Sequence, residues 1–381
     1  MTSNSKLRTS GEIPSGGVET RERRLTASVA FASYALCCLG FIVAITRVRN
    51  FWEMSSTWAD NPKYLTIAQE AVKGRFAGPA LEEVRQYYRG AGYCVALVSK
   101  LTTSPPATCL PLMSLACGAL AIYFCGRLWG WRVATLFAFI NIALTQPECL
   151  GGSEPFFIFF LFASLWLWRK GRVVSAPAVA VLATSVRPTG VFLLLALTGV
   201  LVWHRRWRDV LKSFLITTIL GGLYLAPLML MARDPLAPVN GYAGDWYGPF
   251  PVAFPFYPLI HTALLPGTPW VRHVKIWVYV AFTLFGIATL WKRRRRAFAD
   301  LTSQGEWIFF LLFAGFCLSY NSYYGYDEYP RFSSPIVPQS LVDLRSRLLR
   351  PSVILPMSVI AGLLSAASAL NVRSVYHMLF H

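Results

Sequence analysis

Three carboxylates lie beside long apolar runs, where a charged side chain could take part in chemistry. Asp60 follows the first of these runs, and Glu148 and Glu154 lie just before a later one. A carboxylate within hydrogen-bond reach of a hydroxyl can accept its proton as the oxygen attacks a carbon atom. Carboxylates can also hold a divalent cation such as Mg²⁺ or Mn²⁺, or position an acceptor. Asp60 is therefore the candidate general base, and Glu154, with Glu148 as a weaker alternative, the candidate ligand of an acceptor or a metal.

Both main carboxylates also have a purely structural interpretation. Asn61 and Pro62 predict a helix N-cap and a first-turn proline, so Asp60 could merely favour the positive end of the following helix. That effect is worth about 0.3 to 1 kcal/mol. Glu154 precedes Pro155 at the start of an apolar run and could act in the same way. Position alone leaves both interpretations open.

Two isolated arginines are candidates for binding phosphate. Arg187 lies between two apolar runs, and Arg331 lies in a short polar segment before another. A guanidinium matches phosphate oxygens with two parallel hydrogen bonds and stabilises the charge of a departing phosphate. The alternative for Arg331 is a simple ion pair with Asp327 or Glu328.

The elements that must position these side chains are membrane helices. Of 381 residues, 55% are apolar and 14% are charged, well below the roughly 25% charged residues of a soluble domain. A crossing needs about 20 apolar residues, and the apolar runs predict about eleven spans in an all-α, polytopic membrane protein. These runs lie near 27–46, 107–126, 132–147, 155–168, 174–187, 188–203, 211–231, 275–291, 306–320, 333–344 and 352–370.

Basic residues predict the orientation of these spans. The formal net charge is +18, and most Lys and Arg residues fall in short clusters between apolar runs, such as 205–212 and 292–296. With a cytoplasmic N-terminus these clusters lie inside, as the positive-inside rule requires. All five candidate side chains then face the outer side. Charge clusters spaced in this way indicate contact with membrane lipids and argue against a nucleic acid partner.

The sequence predicts one membrane domain with a short tail at each end. Residues 1–26 predict a cytoplasmic N-terminal tail, 27–371 the membrane domain, and 372–381 a C-terminal tail. The first outer loop, 47–106, precedes the second predicted span.

Two short helices are expected in this first outer loop. Apolar spacing predicts one from Asn61 to a stop at Gly74, and charge spacing predicts a second over 81–89. Both are expected to lie along the membrane surface.

Short motifs along the chain place the candidate residues in the context of a known family. They are Asp60 before Tyr-Leu-Thr-Ile-Ala at 64–68, Arg-Gly-Ala-Gly-Tyr at 89–93, Ser-Glu-Pro-Phe-Phe at 153–157, Ser-Val-Arg-Pro-Thr-Gly at 185–190 and Tyr-Pro-Arg-Phe at 329–332. In this order they resemble the GT-C glycosyltransferases, which include protein mannosyltransferases and aminoarabinose transferases. The segment 89–93 lacks the family's two prolines, and Phe332 replaces a tyrosine.

The resemblance implies an integral-membrane hexosyl- or pentosyltransferase of a bacterial inner (plasma) membrane. Such an enzyme takes a sugar from a polyprenyl-phosphate carrier and passes it, with inversion, to a glycan, lipid or protein acceptor on the periplasmic or luminal side. Asp60 then acts as the base, and Arg187 and Arg331 bind phosphate. Members differ in metal use, so no cofactor is assigned beyond the Mg²⁺ or Mn²⁺ that the carboxylates could hold. Four motif positions are expected to bind substrate: Tyr64, Arg89, Tyr93 and Tyr329.

Two other functions fit a membrane protein of this composition. A transporter or flippase of lipid-linked saccharides tends to pair charges near mid-membrane and to have two related halves. Here the acidic residues gather at the outer ends of the spans, and the sequence shows no repeat. A polymerase or ligase of surface polysaccharide also carries phosphate-binding arginines, but the early Asp60 loop argues against it.

Overall fold

The protein is all-α in the computed structural model, which describes residues 17–47, 49–140, 142–232, 252–264, 270–322 and 325–344. Within these ranges no strand forms, although Val252 and Tyr320 share an isolated antiparallel bridge. The predicted span 352–370, the tail 372–381 and most of the tail 1–26 lie outside the described residues.

The first helices carry the chain across the predicted first span and through the first outer loop. They are α1 (Gly17–Thr46), α2 (Phe51–Thr57), α3 (Asn61–Val72), α4 (Pro79–Glu82) and α5 (Gly90–Thr102). The apolar face of α3 is buried, as the spacing predicts, and Gly74 adopts a positive φ of 74° just beyond its end.

The predicted second loop helix over 81–89 is wrong. Helix α4 ends at Glu82, after which Arg85 donates its backbone N–H to Glu82 and Tyr87 donates to Val84 in successive turns. Leu81 and Val84 both pack against Ile67 of α3. Tertiary packing therefore overrides the charge spacing, and the regular helix in this part of the loop is α5.

The central helices form the bulk of the membrane domain. They are α6 (Pro106–Trp129), α7 (Trp131–Ile140), α8 (Ile142–Leu150), α9 (Glu154–Arg169), α10 (Ser175–Val186), α11 (Val191–Trp203) and α12 (Trp207–Ala232). Helix α9 packs between α6 and α10, and a 3₁₀ turn, Pro188–Gly190, joins α10 to α11. First-turn prolines begin α3, α6 and α9, because proline is pre-shaped for that position.

The remaining helices close the bundle. They are α13 (Tyr257–Ala263), α14 (Trp270–Ala297), α15 (Leu301–Ser319), α16 (Gly325–Ser333) and α17 (Val337–Leu344). Helix α15 packs against α11 and α14, and α16 packs against α14. Asp300 caps α15 by accepting a hydrogen bond from the Ser303 N–H at 3.1 Å.

Four of the described helices are long and apolar enough to cross a membrane. They are Thr26–Thr46, Pro106–Trp129, Trp207–Pro227 and Leu301–Ser319. A fifth crossing results if Trp131–Ile140 and Leu144–Leu150, which are bent by 84°, are counted as one broken span. The predicted count of eleven spans therefore remains a prediction.

One polar network ties several helices together at the end of α9. Glu306 accepts hydrogen bonds from Trp129 Nε1 and Gln339 Nε2, both at 2.8 Å, and pairs with Arg169 at 2.5 Å. The charged members of this network lie in or next to the segments that the basic residues predict to be on the inner side.

Candidate active site

A cavity of about 740 Å³ gathers side chains from several helices and the turns beside them. Its charged lining residues are Asp60, Glu154, Arg187, Glu328 and Arg331. Four of these are residues whose type and position in the sequence suggest chemistry. The fold brings them together although Asp60 and Arg331 are far apart in the chain.

Asp60 occupies the N-cap position of α3, but its side chain makes no capping hydrogen bond. Its backbone carbonyl accepts the bonds from Lys63 and Tyr64. The preceding residue, Ala59, takes a left-handed φ of 45°, a conformation that a non-glycine residue rarely adopts. The loop thus directs the half-buried carboxylate toward the cavity without using it as a cap.

Burial and the neighbouring charges together shift the pKa of Asp60 upward. Burial raises the pKa of Asp60 above its ordinary value, and the negative charge of Glu154 adds to the rise. Arg331, Arg187 and Lys63 act in the opposite direction. A carboxylate with a raised pKa is a stronger base, which suits proton acceptance.

Asn61, predicted as the N-cap of α3, has a different task. It is the first residue of the helix, and its Nδ2 donates to the carbonyls of Ser55 at 2.6 Å and Leu150 at 2.7 Å. These bonds fix the Asp60 loop against the segment that leads into α9. Asn61 therefore holds Asp60 near Glu154.

Glu154 joins two guanidinium groups at the start of α9. Its side chain is 2% exposed, and Oε1 accepts hydrogen bonds from Arg187 Nη2, at 2.5 Å, and from Arg331 Nη2. The predicted role as a mere helix-start acid does not explain two arginine partners. Within the described residues Glu154 Oε2 and the Nε atoms of both arginines have no hydrogen-bond partner.

Aromatic rings support both guanidinium groups. Arg187 follows α10 in an extended conformation, before Pro188, and its guanidinium carbon lies 5.2 Å from the centre of the Phe332 ring. The guanidinium of Arg331 lies 5.6 Å from the Trp58 ring. These cation–π contacts hold the planar groups in place. The tyrosine-to-phenylalanine departure at 332 is thus compatible with an arginine support.

Arg331 has a second acidic partner within its own helix. Its Nη1 pairs with Glu328, one turn earlier in α16. The sequence left two roles open for Arg331, phosphate binding and a simple ion pair. In the structure Arg331 lines the cavity and pairs with both Glu154 and Glu328.

Hydroxyl groups extend this cluster toward α3. The Tyr64 hydroxyl donates to Ser153 Oγ at 3.1 Å, and Arg187 Nη2 lies 3.4 Å from the same oxygen. Burial, reinforced by the charge of Asp60, raises the pKa of Tyr64, so its hydroxyl keeps its proton. Tyr64 therefore lines the cavity as a donor that connects α3 with α9.

The rest of the cavity wall is largely apolar and aromatic. Phe157 and Ile158 come from α9, Phe192 from α11, and Phe313 and Phe316 from α15. Tyr87, Tyr88 and Tyr320 add rings with polar tips. The cavity therefore combines a charged end with an apolar wall, an arrangement that suits an amphipathic ligand.

Four predicted site residues, Glu148, Arg89, Tyr93 and Tyr329, lie outside this cavity lining. Glu148 is buried in α8 among α1, α6 and α9, so the structure does not bring it to the other carboxylates. Arg89 is fully buried, with Nη1 3.4 Å from the Tyr93 hydroxyl. The Tyr329 hydroxyl donates to Thr283 Oγ1 at 2.9 Å, between α16 and α14. These contacts stabilise packing rather than face the cavity.

Several residues in the cavity or in contact with its arginines received no role from the sequence. Ser153, Trp58 and Phe332 contact the arginines or Tyr64, and Tyr88 and Tyr320 line the wall. Ser153 and Phe332 lie inside the motifs that resemble the family. Their positions next to Glu154 and Arg331 were the only sequence feature that could have indicated a role for them. The two tyrosines lie in polar loops that give no such signal.

A divalent cation remains a prediction. Among the described residues no group of three His, Cys, Asp or Glu side chains comes together in a way that could hold a metal ion. Asp60 and Glu154 both line the cavity, but Glu154 is already bound by two guanidinium groups. The observed contacts of Glu154 therefore fit an organiser of the arginines better than a metal ligand.

Comparison with solved structures identifies the fold. The chain is similar to the crystal structure of ArnT from Cupriavidus metallidurans bound to undecaprenyl phosphate, with a TM-score of 0.51 and 13% sequence identity. The similarity covers 89% of this chain and 62% of that chain. No protein-family model and no curated protein matches this sequence. The chain thus has a GT-C-like membrane fold, as the ordered motifs predict.

Proposed function

We propose that this chain is an integral-membrane glycosyltransferase that takes a sugar from a polyprenyl-phosphate carrier and passes it to an acceptor hydroxyl. One observation carries the proposal: the Asp60 carboxylate and the Arg187–Glu154–Arg331 cluster line one cavity, within a GT-C-like fold. The similar ArnT structure is bound to undecaprenyl phosphate, which supports a donor of this chemical class.

The proposed reaction is a single displacement. The acceptor oxygen forms a bond to the anomeric carbon while the bond from that carbon to the phosphate oxygen breaks. Asp60 takes the hydroxyl proton, and the phosphate leaves with the bonding electron pair, so the configuration at the carbon inverts. Arg187 and Arg331 stabilise the charge on the departing phosphate.

The apolar wall supports the lipid nature of the donor. A polyprenyl chain is a long hydrocarbon, and the rings of Phe192, Phe313 and Phe316 provide an apolar surface next to the arginines. Asp60, Glu154, Arg187 and Arg331 all come from segments that the distribution of basic residues predicts to lie outside the cytoplasm. We therefore place the transfer on the periplasmic or luminal side of the membrane.

The test is transfer by purified protein in lipid nanodiscs, offered a panel of labelled polyprenyl-phosphate hexoses and pentoses with a membrane extract as acceptor source. Asp60→Asn is expected to lower transfer by about 10²- to 10⁴-fold, because the base is lost. Glu53→Gln is the matched control, since Glu53 is an exposed carboxylate of the same loop, paired with Arg49. It should leave transfer unchanged.

The folded state of Asp60→Asn must be verified in the same samples. Because the pKa of Asp60 is raised in the folded protein, ionisation of Asp60 reduces stability as the pH rises through that pKa. A neutral Asn avoids this cost, so the variant should unfold at no lower a temperature than the unaltered chain. Full transfer by Asp60→Asn would rule out the mechanism. Movement of intact donor across vesicles without any product would favour a flippase instead.

A further inference from the structure

The charged lining of the cavity is acidic on balance, which is unfavourable for the proposed ligand. Three carboxylates, Asp60, Glu154 and Glu328, accompany two guanidinium groups, Arg187 and Arg331. A sugar phosphodiester carries one negative charge, and the polyprenyl phosphate left after transfer carries between about 1.5 and 2 at neutral pH. Binding either anion therefore requires that one of the carboxylates stop neutralising an arginine.

Glu154 is poorly placed to be the carboxylate that gives way. Its side chain is 2% exposed and bridges both guanidinium groups, and Ser153 also contacts Arg187 next to it. Moving it away would leave a buried charge without a partner. Glu154 therefore belongs to the fixed part of the site.

Glu328 is placed differently. Its side chain is 32% exposed, and it contacts Arg331 through Nη1, a different nitrogen from the one that binds Glu154. A rotation of the Glu328 side chain toward solvent would expose Nη1 of Arg331 while the Glu154 bridge stays intact. The adjacent Nε of Arg331 is buried and has no partner among the described residues.

We propose that Glu328 is an exchangeable counter-ion of Arg331, replaced by the donor phosphate when the lipid binds and restored when the lipid phosphate leaves. The proposal rests on the proposed function, since it assigns a role to a residue of the same site. Glu328 acts through Arg331 and is therefore a positioning residue.

The exchange affects product release more than donor binding. The leaving lipid phosphate carries more negative charge than the donor, so it binds the paired arginines more tightly. Competition from Glu328 for Arg331 opposes that tighter binding and helps the product to dissociate. Removing the charge of Glu328 should therefore strengthen product inhibition.

The experiment measures binding of undecaprenyl phosphate to the full chain in nanodiscs, without turnover. Glu328→Gln should bind the lipid phosphate about 3- to 10-fold more tightly, the effect expected from one partly screened charge. Glu328→Asp, which keeps the charge, should bind within about twofold of the unaltered chain on the same scale. Asp209→Asn is the matched control, because Asp209 pairs with Arg206 at the same three-residue spacing but outside the cavity.

The outcomes separate this proposal from the proposed function. Undecaprenyl phosphate that fails to bind the unaltered chain would count against the glycosyltransferase assignment itself. Normal binding by the unaltered chain, with equal or weaker binding by Glu328→Gln, would overturn the counter-ion role alone.

A double variant tests whether Glu328 acts through Arg331. Arg331→Gln removes the guanidinium that Glu328 contacts, so adding Glu328→Gln to that variant should no longer tighten binding of the lipid phosphate. Tighter binding that persists without Arg331 would also contradict the proposal.

Discussion

At the scale of single residues, the charge around Asp60 decides when it can act as a base. The pKa of Asp60 is raised first by burial and then by Glu154, and it is lowered by Arg331 and Arg187. Transfer requires the ionised carboxylate, so activity should fall as the pH drops through this raised pKa. The acid limb of kcat/KM should thus lie above the value of about 3.9 that is usual for aspartate.

Replacing Glu154 tests this electrostatic coupling. Glu154→Gln removes a charge that raises the pKa of Asp60 and leaves the two arginines that lower it, so the acid limb should move to lower pH. The measurement is kcat/KM against pH for the variant, with Glu53→Gln as the charge-matched control. An acid limb that does not move, in a variant with measurable transfer, would mean that Asp60 is not the titrating base.

The sequence was informative at this scale where a charged side chain stands beside an apolar run. Asp60, Glu154, Arg187 and Arg331 were selected on this ground and line the cavity, whereas Glu148 was selected in the same way and does not. Tyr329, two residues before Arg331, does not line the cavity, because residues two apart point to nearly opposite faces of a helix. A motif match locates a segment, and the helical phase then decides which side chain reaches the site.

At the scale of elements, the turn between α10 and α11 sets the position of Arg187. A Cβ atom at Gly190 would lie 2.5 Å from the backbone nitrogen of Thr184 and 2.8 Å from the carbonyl carbon of Ala183. Both are backbone atoms, so the two helices would have to move apart. Glycine therefore permits the close approach that places Arg187 beside Glu154.

Gly190→Ala should consequently destabilise the fold by about 1 to 3 kcal/mol, the usual cost of overpacking, and weaken lipid phosphate binding. Gly199→Ala is the matched control in the helix that follows, because nothing lies within 4 Å of its added Cβ. That control should be neutral or slightly stabilising, since alanine favours a helix interior by about 0.5 to 1 kcal/mol over glycine. Thermal unfolding and undecaprenyl phosphate binding measure both effects. Equal behaviour of the two variants would show that the turn is not tightly packed.

Helix boundaries could be predicted where strong helix-start and helix-stop residues are present. They could not be predicted where tertiary packing outweighs the local sequence pattern. Pro62 in the first turn and Gly74 just beyond the end mark α3 as expected, although the N-cap is Asp60 and not Asn61. The charge spacing over 81–89 suggested a second helix, but burial of Arg89 beside Tyr93 and packing of Leu81 on α3 favour turns. Such long-range contacts are not visible in local periodicity.

At the scale of the whole molecule, α9 separates two polar clusters. It begins at Glu154 in the cavity and ends at Arg169 in the Glu306 network, and its 16 residues span about 24 Å. Helix α15 meets the two clusters in the reverse order. Glu306 lies near its start, and the cavity residue Tyr320 follows its end. The alternation predicted from basic residues is consistent with this two-ended arrangement.

Each cluster contains one buried glutamate, Glu154 in the cavity and Glu306 at the other end of α9. Replacing each glutamate by glutamine in a separate variant can distinguish the roles of the two clusters. Glu306→Gln keeps an acceptor for Trp129 but removes the charge that neutralises Arg169. We expect a loss of stability of about 1 to 3 kcal/mol, less than for a fully buried pair, because a third of the Arg169 side chain is exposed. Thermal unfolding in detergent measures this loss.

Glu306→Gln should reduce stability without changing transfer activity or lipid binding. Glu306→Gln lies about one helix length from the cavity, so the acid limb of kcat/KM and the affinity for undecaprenyl phosphate should stay unchanged, whereas Glu154→Gln should alter both. The two variants carry the same chemical change at opposite ends of α9, so each controls for the other. A shift of the acid limb in Glu306→Gln would mean that the two ends are conformationally coupled. Unchanged kinetics with reduced stability would establish that the Glu306 network supports the bundle while the Glu154 cluster serves the reaction.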